Sequence, residues 1–217
     1  MLQGVIFDLD GTLIDSEPIW EQVLRSFVER YGKVFDPTFH KTILGTERLR
    51  ALRSLVSRFE LPVSAEELVP LYDPAFSALA IKTPPPAKAG AQALLDRLRA
   101  LGVPLALATG SRHEIVDPIL KAHGWDQVFQ TVVCGDDVPN GKPAPDTYAR
   151  AVQALGCAKD HCVALEDGVN GVESAKSAGL KVIGVVDPRF GADLSAADCV
   201  VGSLEEVTIE DLREIAS

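Results

Sequence analysis

Gln3-Gly4-Val5-Ile6-Phe7-Asp8-Leu9-Asp10-Gly11-Thr12 opens the chain with an apolar run that stops at two carboxylates, a glycine and a threonine. The run reads as a buried strand, and the residues that end it read as a turn. Carboxylates are thereby placed at the carboxyl end of a strand, which is where open α/β sheets bind their ligands. An isolated Asp-x-Asp also fits a helix-capping aspartate or a solvated turn, so its meaning depends on the motifs farther along the chain.

Beyond Asp15 the period changes. From about Pro18 to Ala80 apolar residues recur at helical spacing, as in Trp20, Val23, Leu24, Phe27, Val28 and Tyr31, with no strand pattern among them. This is an all-helical insert, in which Ser64-Ala65-Glu66-Glu67 has capping-box spacing and Gly45 separates two helices. Its aromatic residues suit a small packed bundle. Thr83-Pro84-Pro85-Pro86 is a stiff, donor-poor connector at which the chain leaves one domain for another.

Strand and helix then alternate. Helices are expected from about Ala89 to Leu101, His113 to His123, Pro145 to Leu155, Val169 to Ala178 and Ile209 to Ile215. Strands are expected at Val103–Ala108, Thr131–Cys134, Cys162–Leu165, Lys181–Val186 and Cys199–Val201. The rhythm predicts an α/β fold, a doubly wound and mostly parallel Rossmann-like sheet carrying a small helical domain inserted after the first strand. The expected domains are residues 1–14 with 83–217, and residues 15–82.

Composition narrows the function. The chain has 217 residues, 47% hydrophobic and 24% charged, enough for a substantial core. A formal charge of −10 repels nucleic acid and anionic membranes alike, so neither is an expected partner. An anionic substrate therefore needs a local positive site. Cys134, Cys157, Cys162 and Cys199 are scattered, with no Cys-x-x-Cys pair and no histidine cluster nearby, so neither zinc nor a disulfide framework is expected. No basic leader precedes an apolar stretch, and no run approaches the roughly 20 apolar residues of a membrane span. A cytoplasmic protein is expected.

The remaining motifs fall at strand ends. Ala108-Thr109-Gly110-Ser111 closes the second strand, offering hydroxyls and backbone N–H groups, although Ser111 with Glu114 also has the spacing of a capping box. Gly141-Lys142-Pro143 follows the third, and Lys142 is the only cation expected near a strand end on this edge. Leu165-Glu166-Asp167-Gly168 closes the fourth with adjacent carboxylates, whose repulsion a cation would relieve. Oxygen donors of this kind suit Mg²⁺. Ionised Asp8, Glu166 and Asp167 balance the charges of Mg²⁺ and Lys142, leaving the edge roughly neutral before a phosphate arrives.

Taken in order, Asp8-Leu9-Asp10-Gly11-Thr12, Thr109-Gly110-Ser111, Lys142-Pro143 and Glu166-Asp167-Gly168 with Asn170-Gly171 resemble the haloacid dehalogenase-like phosphohydrolases, specifically the helical-cap members that include β-phosphoglucomutases and sugar phosphatases. The resemblance implies that Asp8 is the nucleophile, forming an aspartyl-phosphate, and that Asp10 is the general acid and base. It implies Mg²⁺ held by Asp8, the Asp10 carbonyl and Asp167, with Glu166 ligating it or holding its waters. Thr109, Gly110, Ser111 and Lys142 would bind the transferred phosphoryl group, and Gly45, Thr46, Glu47 and Arg48 would select the substrate.

The activity so implied is Mg²⁺-dependent hydrolysis of a small phosphorylated metabolite, a sugar or polyol phosphate, by a monomer. A β-phosphoglucomutase-like reaction is the rival; Arg48 favours it, while Trp20 stands where those mutases resemble one another in carrying a histidine. A non-catalytic phospho-acceptor similar to response-regulator receivers is disfavoured by motif order, since here Asp-x-Asp comes first and the adjacent acidic pair last.

Overall fold

The structure is a computed structural model that describes residues 2–43 and 48–217. Gly45, Thr46 and Glu47 therefore lie outside the described residues. The chain divides into two compact units, Met1–Asp15 with Pro86–Ser217, and Ser16–Pro85.

The first unit is built on a six-stranded sheet: β1 (Gly4–Phe7), β2 (Leu105–Ala108), β3 (Thr131–Val133), β4 (Cys162–Glu166), β5 (Lys181–Val185) and β6 (Cys199–Val201). All pairings are parallel, in the order β3-β2-β1-β4-β5-β6. β1, β2 and β4 are buried along their whole length, as strands covered on both faces must be. Side chains alternate between those faces. Ile6, Ala106, Ala164 and Val182 join one buried cluster with Tyr148, Ala151 and Leu155 of the helix Asp146–Leu155 and Val172 and Ala175 of the helix Val169–Ser177. Val5, Phe7, Leu105, Leu107, Val163 and Leu165 are left for the opposite face.

This strand order puts the topological switch at β1, whose neighbours β2 and β4 carry the chain outward in opposite directions. A crevice opens there beyond the strand ends. Register decides what it contains: Phe7 lies opposite Leu165, and the Asp8 N–H donates to the Leu165 carbonyl at 3.0 Å, so Asp8 emerges beside Glu166. Gly11 then adopts φ +85°, a left-handed conformation that a glycine tolerates, and the chain folds back through Leu13 and Ile14.

The second unit contains, among the described residues, the helices α1 (Glu17–Arg30), α2 (Pro37–Ile43), α3 (Arg48–Phe59) and α4 (Ala65–Lys82). Ser64 and Glu67 form the capping box at the start of α4, each side chain satisfying the other's backbone N–H. The interior is aromatic: Trp20 stacks on Tyr72 at 4.8 Å and meets Phe76 at 3.8 Å between ring centroids, while Phe35, Phe39 and Phe59 pack together. Arg48 is held by Asp73 at 2.8 Å and lies over the Tyr72 ring.

In the first unit the helices are α5 (Ala91–Ala100), α6 (His113–His123), α7 (Asp146–Leu155), α8 (Val169–Ser177) and α9 (Ile209–Ile215). Ser111 does not cap α6. The N-cap is Arg112, without a side-chain cap, because the Ser111 hydroxyl is directed elsewhere. Among the described residues no helix is long and apolar enough to cross a membrane.

Candidate active site

Asp8 is almost fully buried just past the end of β1, and the Lys142 ammonium donates to its Oδ1 at 2.6 Å. The same Nζ donates to Glu166 Oε1 at 2.5 Å. Glu166 Oε1 also accepts from the Tyr148 hydroxyl at 3.0 Å, while Oε2 accepts from the Gly168 N–H at 3.0 Å. Both carboxylate oxygens of Glu166 are thus engaged by the protein. The room for this carboxylate comes from Gly171, where a Cβ would overlap it.

Asp167 turns the other way, toward the β1 loop. Its Oδ1 accepts from the Thr12 hydroxyl at 2.9 Å, and a Cβ on Gly11 would collide with the carboxylate. The Asp10 Oδ2 accepts from the Ser111 hydroxyl at 2.7 Å, which ties the first loop to the loop after β2. Thr109 is buried, and its Oγ1 accepts from the Ser111 N–H at 3.0 Å. The N–H groups expected to be open at the start of α6 are partly used: that of Ser111 by Thr109, and that of His113 by Asp136 at 3.2 Å.

The electrostatics follow from crowding acid in a dry place. Burial raises the Asp8 carboxyl; Lys142 opposes this, while Glu166, Asp167 and Asp10 add to it. Burial, then Glu166, pushes Asp167 up to about 7. Burial would lower Lys142, but Asp8 and Glu166 outweigh it and hold the ammonium above its usual range. Ligating oxygens of Asp8, Glu166 and Asp167 lie within 4.8 Å of one another, an all-oxygen cluster short of positive charge. Such a donor set fits a hard divalent cation.

Asp8, Lys142, Glu166 and Asp167 are therefore joined by direct contacts or by the acidic cluster, and Asp10, Ser111 and Thr109 form a second bonded group. Arg48 belongs to the helical unit and is paired there with Asp73. Lys142 is not the only cation at this edge, contrary to expectation. Arg189, in the loop after β5, forms a bidentate pair with Asp15 at 3.0 Å and also contacts Asp187, which Lys88 reaches at 2.7 Å. Sequence reasoning alone assigns no role to Tyr148 or Thr12. Tyr148 has a faint signal, an aromatic six residues after Lys142 on the inward face of a helix; Thr12 already stands in the first motif.

The chain as a whole has known counterparts. The pattern of the haloacid dehalogenase-like hydrolases matches residues 2–179. The chain belongs to that family. A bifunctional riboflavin kinase/FMN phosphatase of Arabidopsis thaliana is 35% identical over 95% of this chain, which spans only 54% of that longer protein. A phosphorylated carbohydrates phosphatase of Thermotoga maritima is 32% identical over 99% of this chain and 100% of its own length. Among solved structures, one described as a putative β-phosphoglucomutase from Thermotoga maritima superposes with a TM-score of 0.80 at 30% identity, covering 98% of this chain and 99% of that one. This haloacid dehalogenase-like hydrolase is an enzyme, and phosphoric monoester hydrolysis is the class in which its family and relatives place it.

Proposed function

We propose that the chain is a Mg²⁺-dependent phosphatase that hydrolyses a small phosphorylated metabolite, a sugar or polyol phosphate, through an aspartyl-phosphate on Asp8. The observation that carries this reading is the position of the Lys142 ammonium, 2.6 Å from Asp8 and 2.5 Å from Glu166, in an acidic crevice where Asp10 is separately held by Ser111 at 2.7 Å. One carboxylate is braced by a cation, and its neighbour is oriented by a hydroxyl.

The first step forms a bond from Asp8 to phosphorus while the ester oxygen leaves, taking a proton from Asp10. Water then attacks the phosphorus of the aspartyl-phosphate, giving its proton to Asp10 and releasing phosphate with Asp8 restored. Asp10 must start protonated to give that proton. Ser111 holds its side chain in place between the steps. Lys142 neutralises charge on the equatorial phosphoryl oxygens, where catalysis of this transfer mainly arises. Thr109 and Gly110 lie in the same loop, and among the described residues no atom beyond Gly110's own chain neighbours stands within 4 Å of where its side chain would begin.

Asp8, Asp167 and the Asp10 carbonyl would hold Mg²⁺, which supplies charge neutralisation for the phosphoryl group. Glu166 fits a supporting role, since its two oxygens already take three protein donors. Arg48 is assigned to substrate selection together with Gly45, Thr46 and Glu47. A cytoplasmic monomer fits the acidic composition and the four free thiols, of which Cys157 and Cys162 lie 2.8 Å apart.

The test is release of phosphate from p-nitrophenyl phosphate and from a panel of sugar and polyol phosphates. Mg²⁺-dependent turnover that disappears in Asp8→Asn is expected; full activity in that variant would refute the assignment. The likeness to a putative β-phosphoglucomutase keeps phosphoryl transfer between sugar positions as the second reading. Isomerisation of a sugar phosphate on addition of glucose 1,6-bisphosphate would favour it. The packing of Trp20 into the aromatic interior of the helical unit, with no imidazole at that position, favours hydrolysis.

A further inference from the structure

A second group of ligating side chains forms where the loop after β3 meets the start of α6. A ring nitrogen of His113, the Cys134 sulfur and a carboxylate oxygen of Asp136 lie within 4.8 Å of one another. Backbone contacts build this arrangement. The Gly135 N–H donates to the Ser111 carbonyl at 2.9 Å, and the His113 N–H to Asp136 Oδ1 at 3.2 Å. A Cβ on Gly135 would collide with the Gly110 carbonyl, so the two loops approach this closely only with glycine there.

Each imidazole nitrogen faces a carboxylate: Nδ1 lies 3.2 Å from Asp117 and Nε2 2.9 Å from Asp137. Metal-bound histidines characteristically donate the other ring N–H to a carboxylate, which sets the tautomer and the ring angle. Whichever His113 nitrogen turned to an ion, the other would keep such a partner. The Cys134 sulfur is fully buried, and burial with Asp137 and Asp136 pushes its thiol up to about 12. Asp117, Asp136 and Asp137 outnumber the two arginines nearby, Arg112 at the start of α6 and Arg150, which lies 3.8 Å from Asp137. The site thus has ligands of three kinds and an excess of negative charge.

We propose that His113, Cys134 and Asp136 bind a borderline divalent cation of the zinc class, at a site distinct from the carboxylate cluster at Asp8. Sulfur and nitrogen donors select such an ion over Mg²⁺. On binding, the thiol proton passes to solvent, the sulfur–metal bond forms, and no electrons change hands. Water or the carboxylate of Asp137 completes a tetrahedral set. Occupancy would pin the Gly135 loop to the Ser111 loop, and through Ser111 would steady Asp10.

The experiment titrates the metal-stripped full chain with Co²⁺, whose bond to sulfur gives a charge-transfer absorption. One equivalent should saturate the band, Zn²⁺ should bleach it, and Mg²⁺ should leave it. Cys134→Ser should abolish it, and His113→Gln should weaken binding at least about 10-fold. Asp8→Asn should keep the band, separating this site from the other. Absence of a band at one equivalent, or a band that survives Cys134→Ser, would overturn the proposal. If Cys134→Ser fails to fold, His113→Gln decides, because that side chain is 41% exposed and its loss leaves the interior intact; unchanged affinity there would equally overturn it.

Discussion

Gly171→Ala isolates the support behind the candidate active site. In the first turn of α8 the substitution should stabilise the helix by up to about 1 kcal/mol, because alanine is the better helix former. The tertiary structure opposes this. The new methyl would occupy the space of the Glu166 carboxylate, which is only 2% exposed and would have to shift. Displacing Glu166 strains its bonds to Lys142 at 2.5 Å, the Tyr148 hydroxyl at 3.0 Å and the Gly168 N–H at 3.0 Å. Hydrogen bonds to a charged group contribute roughly 1.5–3 kcal/mol each, so losing two of three costs about 3–6 kcal/mol. After the helix gain, a net loss of about 2–5 kcal/mol remains. Urea unfolding would read it as a lower midpoint at unchanged slope. Lys142, left with Asp8 and the weaker Tyr148 contact at 3.5 Å, should shift, and about 3 kcal/mol of lost transition-state stabilisation lowers kcat/KM for p-nitrophenyl phosphate roughly 100-fold. A Gly171→Ala protein as stable and as active as the parent would refute the claim that Glu166 positions Lys142.

Other outcomes can be checked separately. Without divalent metal, Asp167 is raised by burial and by Glu166 to about 7, above its unfolded value, so the native state binds the extra proton. Stability of the metal-free protein should fall as pH rises from about 4 to 7, by at most about 4 kcal/mol, and saturating Mg²⁺ should flatten the curve. A flat profile without metal would contradict the crowding of acids. Asp187 is held below the usual carboxylate range by Arg189, with help from Lys88 against burial, so its contribution is present above about pH 4 and lost as pH falls. Arg189→Ala should cost about 1–3 kcal/mol at pH 7, with the gap to the parent closing in acid; a gap independent of pH would exclude this pair as the cause. Arg48→Ala should raise KM for sugar and polyol phosphates more than it alters turnover of p-nitrophenyl phosphate. Equal losses on every substrate would argue against substrate selection by Arg48.

Local periodicity is enough to read most elements of the α/β unit from the sequence. α6, β6 and α9 have the bounds expected, and the other helices and strands differ by a residue or two at their ends, where capping and turn geometry act. Ser111 shows the limit of local reading: its spacing to Glu114 fits a capping box, yet the hydroxyl is taken by Asp10, 101 residues away. Tyr148 escapes for a similar reason, since an inward aromatic on a helix looks like core until a buried carboxylate is found at its hydroxyl. His113 and Cys134 are 21 residues apart and resemble no metal motif, so spacing alone argues against zinc; only the adjacency of β2 and β3 brings their loops together.

The one-dimensional pattern settled which residues stand at the carboxyl ends of strands, because breakers, alternation and charge placement are local properties of the chain. Which of those ends are neighbours is a matter of strand order and register. With β1 between β2 and β4 and Phe7 opposite Leu165, Asp8 meets Glu166 and Lys142 instead of facing water alone. The raised carboxyls, the need for a cation and the glycine gaps at Gly11 and Gly171 follow from that convergence, since desolvation and steric fit exist only after distant segments have packed.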